Sequence, residues 1–483
     1  MKKINNIGAY LIVFIMTLFV LIPAVSAQER VQANWAELEK FKALYDDPRP
    51  FLKEGAFAYK NSLPPKLYNS LVYDVDKMQK AWADLVGFRA PDVVGKIAPE
   101  IKPDTYNYKD KEKFPGLKEL MIPEIYIRFN AAGPPFAGNF SEIKVVPTRQ
   151  YYFSLPVAEG TKKYEGQSKL DKEGYLIGES YKGGYPFPRP SGEFKAQQIC
   201  YNWEKRYTIF ESFVNATANY GYSKNLRRDR DQVLAWLGVR LQGRLRMEPY
   251  GWFDERAQTR GEYTASILSW VAPRDSYGNA YSRTNFLDRD TFDYNLIYSA
   301  AIRRIRTMSA TDTQDTVGGG DAIYEDSEGF SQKLTPKRFP FKFKVIAERE
   351  YLMPTHSLDG SPYVTSASKG LEQRNLEFER RPMYVVELIQ TDKNYVYGKR
   401  ILYIDQETFI LKFGEHYDQK GRLYRTIWSN YASIPEMGVH IPQITTFRDH
   451  IDIHSTVSGY FYIPAPWLTR DDINLQSAIT KGK

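Results

Sequence analysis

The chain has 483 residues, 42% of them hydrophobic, 26% charged and 15% aromatic, with a formal net charge of +8. That length supports a sizeable core, and the mixture of both charge signs excludes a disordered acidic or basic chain. A single cysteine excludes a disulfide scaffold, a Cys-type structural zinc site and an iron–sulfur cluster, while 36 tyrosines and 27 phenylalanines favour strands over helical bundles.

Lys2, Lys3, the apolar run from Ala9 to Leu21 and the small residues of Val25-Ser26-Ala27 read as a secretory signal peptide over residues 1–27, cut after Ala27. The run is short for an anchor, and no later stretch approaches the ~20 apolar residues of a membrane helix. A soluble, exported product follows, which removes nucleic acid as a natural partner despite the basic balance.

Residues 28–140 read as a helical and then proline-rich wrapping region. Asn34 can cap a helix whose Trp35, Leu38, Phe41 and Tyr45 share a face. After Pro64-Pro65, Leu67, Leu71, Val75, Met78, Trp82 and Leu85 form one helical stripe, with Gly87 suited to its end. Prolines from Pro91 to Pro135 break any longer element.

Residues 141–483 read as a sheet domain. It opens with a helix capped by Ser191 and running to about Tyr207, whose stripe Ala196, Ile199, Cys200, Trp203 and Tyr207 places the lone cysteine in the core. Alternation then takes over. Val239, Leu241, Gly243, Leu245 and Met247 alternate with Arg240, Gln242, Arg244, Arg246 and Glu248, predicting one strand with an apolar and a charged face. Phe341, Phe343, Val345 and Ala347 repeat the pattern, as do Tyr384, Val386 and Leu388. Tyr395 to Ser433 predicts three consecutive antiparallel strands, turning at Asp405-Gln406-Glu407 and at Asp418-Gln419-Lys420-Gly421. The fold class is mainly β, with a large antiparallel sheet.

Chemistry is sparse. The nearest approach to a nucleophile elbow, Gly178-Glu179-Ser180-Tyr181-Lys182-Gly183, has its second glycine one position too late. There is no Walker loop, dinucleotide fingerprint or H-E-x-x-H, and Gly318-Gly319-Gly320 lacks the lysine of a phosphate loop. Of the five histidines, His450 and His454 alone have metal-like spacing, but their alternation with isoleucine predicts a strand, where they would stand about 13 Å apart. No metal and no cofactor is expected. Asp312, Asp315, Asp321, Glu325, Asp326 and Glu328 read as a solvated acidic loop, and Arg303, Arg304 and Arg306 as a surface cluster that can pair with it or face anionic lipid.

Several segments together carry a resemblance. They are Gly183-Gly184-Tyr185-Pro186-Phe187-Pro188 with the following helix through Asn202 and Arg206-Tyr207; Arg303-Arg304-Ile305-Arg306; Gly319-Gly320-Asp321 with Tyr324-Glu325-Asp326; and Tyr397 to Asp405 followed by Tyr417 to Gly421. Over roughly residues 60 to 470 the chain resembles the bacterial domain-of-unknown-function family 1329, which is similar to outer-membrane lipoprotein-sorting (Lol-type) carriers. The resemblance implies a strongly curved antiparallel sheet, an unclosed barrel, with helices covering its concave face. It also implies a Gram-negative periplasmic location beside outer-membrane proteins and inner-membrane exporters, and it supplies no catalytic residues.

The expected function is therefore a periplasmic carrier that shields a lipid, an acyl chain or a lipoprotein in a concave apolar cavity for envelope or outer-membrane traffic. The candidate ligand-binding walls are Tyr384, Val386 and Leu388, Phe409, Leu411 and Phe413, and Leu241 and Leu245, with Tyr185, Phe187 and Trp203 as a cover. On this reading Lys412 and Glu387 face away from the cavity. The same cover residues also suit simple core packing. Two other classes stay open: an envelope-acting hydrolase or lyase, and a structural partner of an outer-membrane protein.

Overall fold

The computed structural model describes residues 59–308, 314–317, 320–337, 340–356, 363–365, 372–374, 376–476 and 479. The signal segment and the helix expected over Trp35 to Tyr45 lie outside them. Strand outweighs helix, 39% against 22%, so the chain is mainly β as its alternation predicts.

Among the described residues nineteen strands follow in chain order. They are β1 (Asp104–Asn107), β2 (Glu142–Val145), β3 (Ser212–Tyr222), β4 (Arg228–Arg240), β5 (Gln242–Arg244), β6 (Gly251–Trp252), β7 (Glu262–Ala272), β8 (Ala280–Phe286), β9 (Tyr294–Ser299) and β10 (Arg304–Thr307). After these come β11 (Phe341–Pro354), β12 (Tyr363–Thr365), β13 (Glu372–Arg374), β14 (Glu377–Gln390), β15 (Lys399–Asp405), β16 (Leu411–Tyr417), β17 (Leu423–Ile434), β18 (Val439–Asp449) and β19 (His454–Pro464). Fifteen of them make one sheet in the order β1-β2-β14-β15-β16-β17-β18-β19-β3-β4-β7-β8-β9-β10, with β11 also on β14. Every pair is antiparallel except β2 with β14. The terminal strands β1 and β10 do not meet, so the sheet is not closed into a barrel.

The three strands expected between Tyr395 and Ser433 are β15, β16 and β17. Gly421 takes φ 79° in the second turn, whose ends are joined by Gly421 N–H to the Asp418 carbonyl. In the first turn the Asp405 carboxylate accepts the N–H groups of Glu407 and Thr408, which closes the loop without glycine.

Three predicted elements differ. The stripe from Leu67 to Leu85 is two helices, Pro65–Ser70 and α1 (Val75–Val86), because Asp74 caps the second by accepting Lys77 N–H; Gly87 ends α1 at φ 91°. The helix after Ser191 is α3 (Lys195–Glu204), which starts four residues after Ser191 and ends three residues before Tyr207. Ser191 does not cap it, because its backbone is taken by the Gln198 side chain. The strand expected over 239–248 breaks at Arg240. There Gly243 adopts φ 72° and the Glu211 carboxylate takes the N–H groups of Leu245, Arg246 and Met247 away from any ladder.

The sheet is covered on both faces over β14–β17. One face packs against α1, α2 (Leu155–Tyr164) and α3 through Met78, Trp82, Val157, Ile199 and Trp203. The other takes Leu117, Leu120, Ile125, Phe129 and Phe140 from the proline-rich segment, against Met383, Val385, Phe413 and Trp428. Burial on two faces accounts for apolar residues at both parities of β14, with Tyr384 and Val386 on one face and Met383 and Val385 on the other.

Candidate functional site

Beyond the end of α3 the helical cover stops while the sheet continues. Between the sheet face and the segment that takes over as roof lies a cavity of about 340 Å3. Its floor is one face of neighbouring strands held in register. Thr456, Gly221 and Arg230 stand side by side across β19, β3 and β4, as do Ser458, Asn219 and Gln232, and Tyr460, Thr217 and Leu234. The same face continues through Trp236, Leu268 and Tyr281, and through Gly238, Ser266 and Arg283, across β4, β7 and β8. Small side chains dominate β19 and β3, which leaves room above them. At Gly238 the lack of a side chain admits the Phe213 ring, which an added Cβ would meet at 2.3 Å.

The roof is the segment around the 3-10 turn Tyr324–Gly329 together with the end of α3. Of the acidic cluster, Asp321, Glu325, Asp326 and Glu328 sit here and are buried rather than solvated, each with a polar or basic partner, whereas Asp315 is exposed as expected and Asp312 lies outside the described residues. Asp321 accepts from Thr456 Oγ1 at 2.6 Å and lies 2.7 Å from His454 Nδ1; Asp326 accepts from the Tyr397 hydroxyl at 2.7 Å and lies 3.6 Å from Arg425. Glu325 accepts from the Tyr395 hydroxyl, Glu328 from Arg206 Nε at 3.0 Å, and the Trp203 indole donates to the Phe330 carbonyl at 2.7 Å. Arg303, Arg304 and Arg306 do lie on the surface.

His450 to Ile453 form the turn between β18 and β19 rather than a strand, with Ile453 at φ 52°. His454 therefore points at Asp321 and Asp229 and not at His450. Burial works against its cation, but the Asp321 and Asp229 carboxylates outweigh it and hold His454 above the ordinary value.

One end of the cavity is arginine-rich. Glu211, fixed by the three N–H groups after Gly243, is the carboxylate beside Arg240, Arg244 and Arg246. Burial lowers the guanidinium groups of Arg244 and Arg246 below their ordinary value in spite of it. Arg244 spends its donors on Ser212 Oγ and on the Arg240, Glu248 and Pro249 carbonyls.

The residues expected as walls are placed elsewhere. Tyr384, Val386, Leu388, Phe409 and Leu411 are buried together under the helices. Leu411 fills the space beside Gly329, where an added Cβ would lie 2.8 Å from Leu411 Cδ2. Phe413 is on the opposite face of the sheet, against Phe378 and Trp428. The register shifts between Tyr403 and Ile404, whose partners are Phe413 and Leu411, so Lys412 is bulged and the expected common face of Leu411 and Phe413 is split. Lys412 is itself buried and donates to the Pro354 carbonyl at 3.1 Å; burial pushes it down to about 7. Leu241 packs with Val239 and Ala257, and Leu245 lies against Gly160 of α2. Tyr185 and Phe187 belong to a rigid turn. Gly184 at φ 73° sits on the Thr161 backbone, Thr161 Oγ1 accepts Tyr185 N–H, and Asn202 brackets Phe187 with two hydrogen bonds. Trp203 lines the cavity. Cys200 is buried, and burial pushes its thiol up.

The fold and cavity define an open-sheet domain with a helical cover over part of one face. The chain belongs to the DUF1329 family, described as proteins of unknown function, whose model matches residues 138–471. No curated protein matches the sequence. Among solved structures it is similar to a putative outer membrane lipoprotein-sorting protein domain from Vibrio parahaemolyticus, at 15% identity and TM-score 0.41, over 58% of this chain and 97% of that one. It is also similar to a DUF1329 family protein from Desulfovibrio piger (13%, TM-score 0.39, over 56% and 92% of the two chains). A LolA superfamily protein from Nitrosomonas europaea follows (15%, TM-score 0.33, over 57% and 98%).

Proposed function

We propose that the chain is an exported carrier that takes up an apolar ligand, a lipid or acyl chain, between the face of β19, β3, β4, β7 and β8 and the roof segment. The observation that carries this reading is the cavity of about 340 Å3, a size within the ~300–1,000 Å3 typical of small-ligand sites. Its apolar wall is Phe213, Leu234, Trp236, Leu268 and Tyr460. Burial of an acyl chain there gains about 25 cal/mol per Å2 of apolar surface removed from water.

Binding is favoured over hydrolysis because three carboxylates that line the cavity are already engaged: Glu211 by backbone N–H groups, Asp321 by His454 and Thr456, and Glu328 by Arg206. In this proposal the described residues 59–140 form a buttress, whose proline-rich part covers the sheet face remote from the cavity. The test is an organic extract of the purified native protein, analysed by mass spectrometry beside that of Leu268→Arg. Lipid that co-purifies with the wild type and is lost from the folded variant is expected. Equal lipid in both would remove this cavity from the function.

A further inference from the structure

Glu211 is a single carboxylate beside three arginines. Its oxygens accept the N–H groups of Leu245, Arg246 and Met247, and its distance to Arg246 Nε is 4.0 Å. Arg240 lines the cavity and is held by the Tyr263 hydroxyl at 2.8 Å and by the Lys205 and Arg206 carbonyls, with its guanidinium carbon 3.9 Å from the Tyr207 ring centre. None of these partners is an anion. The other acids on this wall are neutralised locally, Glu204 by Lys205 at 2.8 Å and Glu328 by Arg206 at 3.0 Å.

Two strands away on the same face, Arg283 binds Asp293 through Nη2 at 2.8 Å while its Nε is buried with no hydrogen-bond partner. A guanidinium drawn out of water beside two further arginines and one occupied carboxylate keeps an uncompensated positive field, which a desolvated anion relieves. Neighbouring side chains Trp236 and Leu268 extend from this end along the floor.

Resting on the carrier reading, we propose that the ligand is an amphiphile with an anionic head, a carboxylate or a phosphate, which docks on Arg240 while its tail lies over Trp236, Leu268 and Leu234. Arg240 supplies the charge, and Tyr263, the Lys205 and Arg206 carbonyls and the Tyr207 ring hold its guanidinium in place.

The test uses cis-parinaric acid and its methyl ester, the same fluorescent tail with and without a negative head. The wild type is expected to bind the acid about 10-fold more tightly than the ester, the worth of one charge-assisted hydrogen bond. Arg240→Gln should lose that preference by weakening the acid alone, and Arg240→Lys should keep part of it. Dodecyl phosphate should displace the acid, whereas inorganic phosphate should not. Displacement by inorganic phosphate would assign the wall to a free anion and overturn the amphiphile. Equal binding of acid and ester by the wild type overturns the anionic head and leaves the carrier reading standing; binding of neither overturns both. If Arg240→Gln does not fold, the wild-type comparison and Arg240→Lys decide the matter.

Discussion

His454 joins the roof to the floor: its ring lies 2.7 Å from Asp321 on the roof and 3.0 Å from Asp229 on β4. Its folded-state value lies above the ordinary 6.5, so the stabilisation it contributes is complete below that value and is lost as pH rises through the folded value. The expected outcome is that His454→Gln melts below the wild type at pH 5.5 and that the gap narrows by pH 9, read from thermal unfolding at the two values; with Asp229 partly open to water, the low-pH gap should be about 1 kcal/mol. A gap that widened with pH would show the histidine acting as a neutral ring. At this scale the sequence was legible where one residue has one physical use. Gly87 and Gly421 take the positive φ their turns require, and Cys200 is buried on the helix stripe that predicted it. The roof acids were not legible, because their partners Arg206, Tyr395, Tyr397, Arg425 and His454 lie far from them in sequence. A run of carboxylates around a glycine-rich loop reads as solvated until such partners are known.

Among elements, β16 and β7 make a useful contrast. Leu411 is sealed in a filled layer under the helices, whereas Leu268 is half-buried and faces the cavity. Leu411→Glu should lose several kcal/mol and unfold near room temperature, since a carboxylate there has no partner and no route to water. Leu268→Glu should fold, cost about 1 kcal/mol, and abolish uptake of the parinaric probe. Melting temperature and probe binding of the two variants together check this; a folded Leu411→Glu would show that the layer beneath α3 opens. The β16 alternation was visible in the sequence but its consequence was not, because the bulge at Lys412 turns one expected wall into two opposite faces. The cavity floor was overlooked for a different reason. Thr217, Asn219 and Gly221 with Thr456 and Ser458 are small and polar, a pattern that ordinarily marks the wet face of a strand.

For the molecule as a whole, period-two alternation was enough to establish a mainly β chain with a large antiparallel sheet, since that signal is local, whereas its being open followed only from the family resemblance. The strand order was not accessible in the same way. β19, the last of the described strands, pairs along its length with β3, the first long one among them, from Ser455 with Tyr222 to Pro464 with Phe213. No turn residue encodes a pairing across that distance, which is set only by the burial the completed sheet achieves. The two hairpin series, β3 to β10 and β11 to β19, thus join at a seam, and the cavity floor straddles it.

The seam sets an order of events in time. Contacts between the ends of a chain carry the largest loop-closure cost and form late. Hairpins such as β3–β4 and β15–β16–β17 can close on their own, but the cavity cannot exist until β19 arrives. After dilution from urea, strand signal in the far-ultraviolet should therefore return before probe uptake, which should follow the slowest kinetic phase. Uptake in the earliest phase would mean that β3, β4, β7 and β8 suffice. Under the proposed carrier reading, a chain threaded through a membrane from its N terminus would likewise remain unable to hold a ligand until residues 454–464 had emerged, so that binding competence would lag behind the appearance of the earlier hairpins.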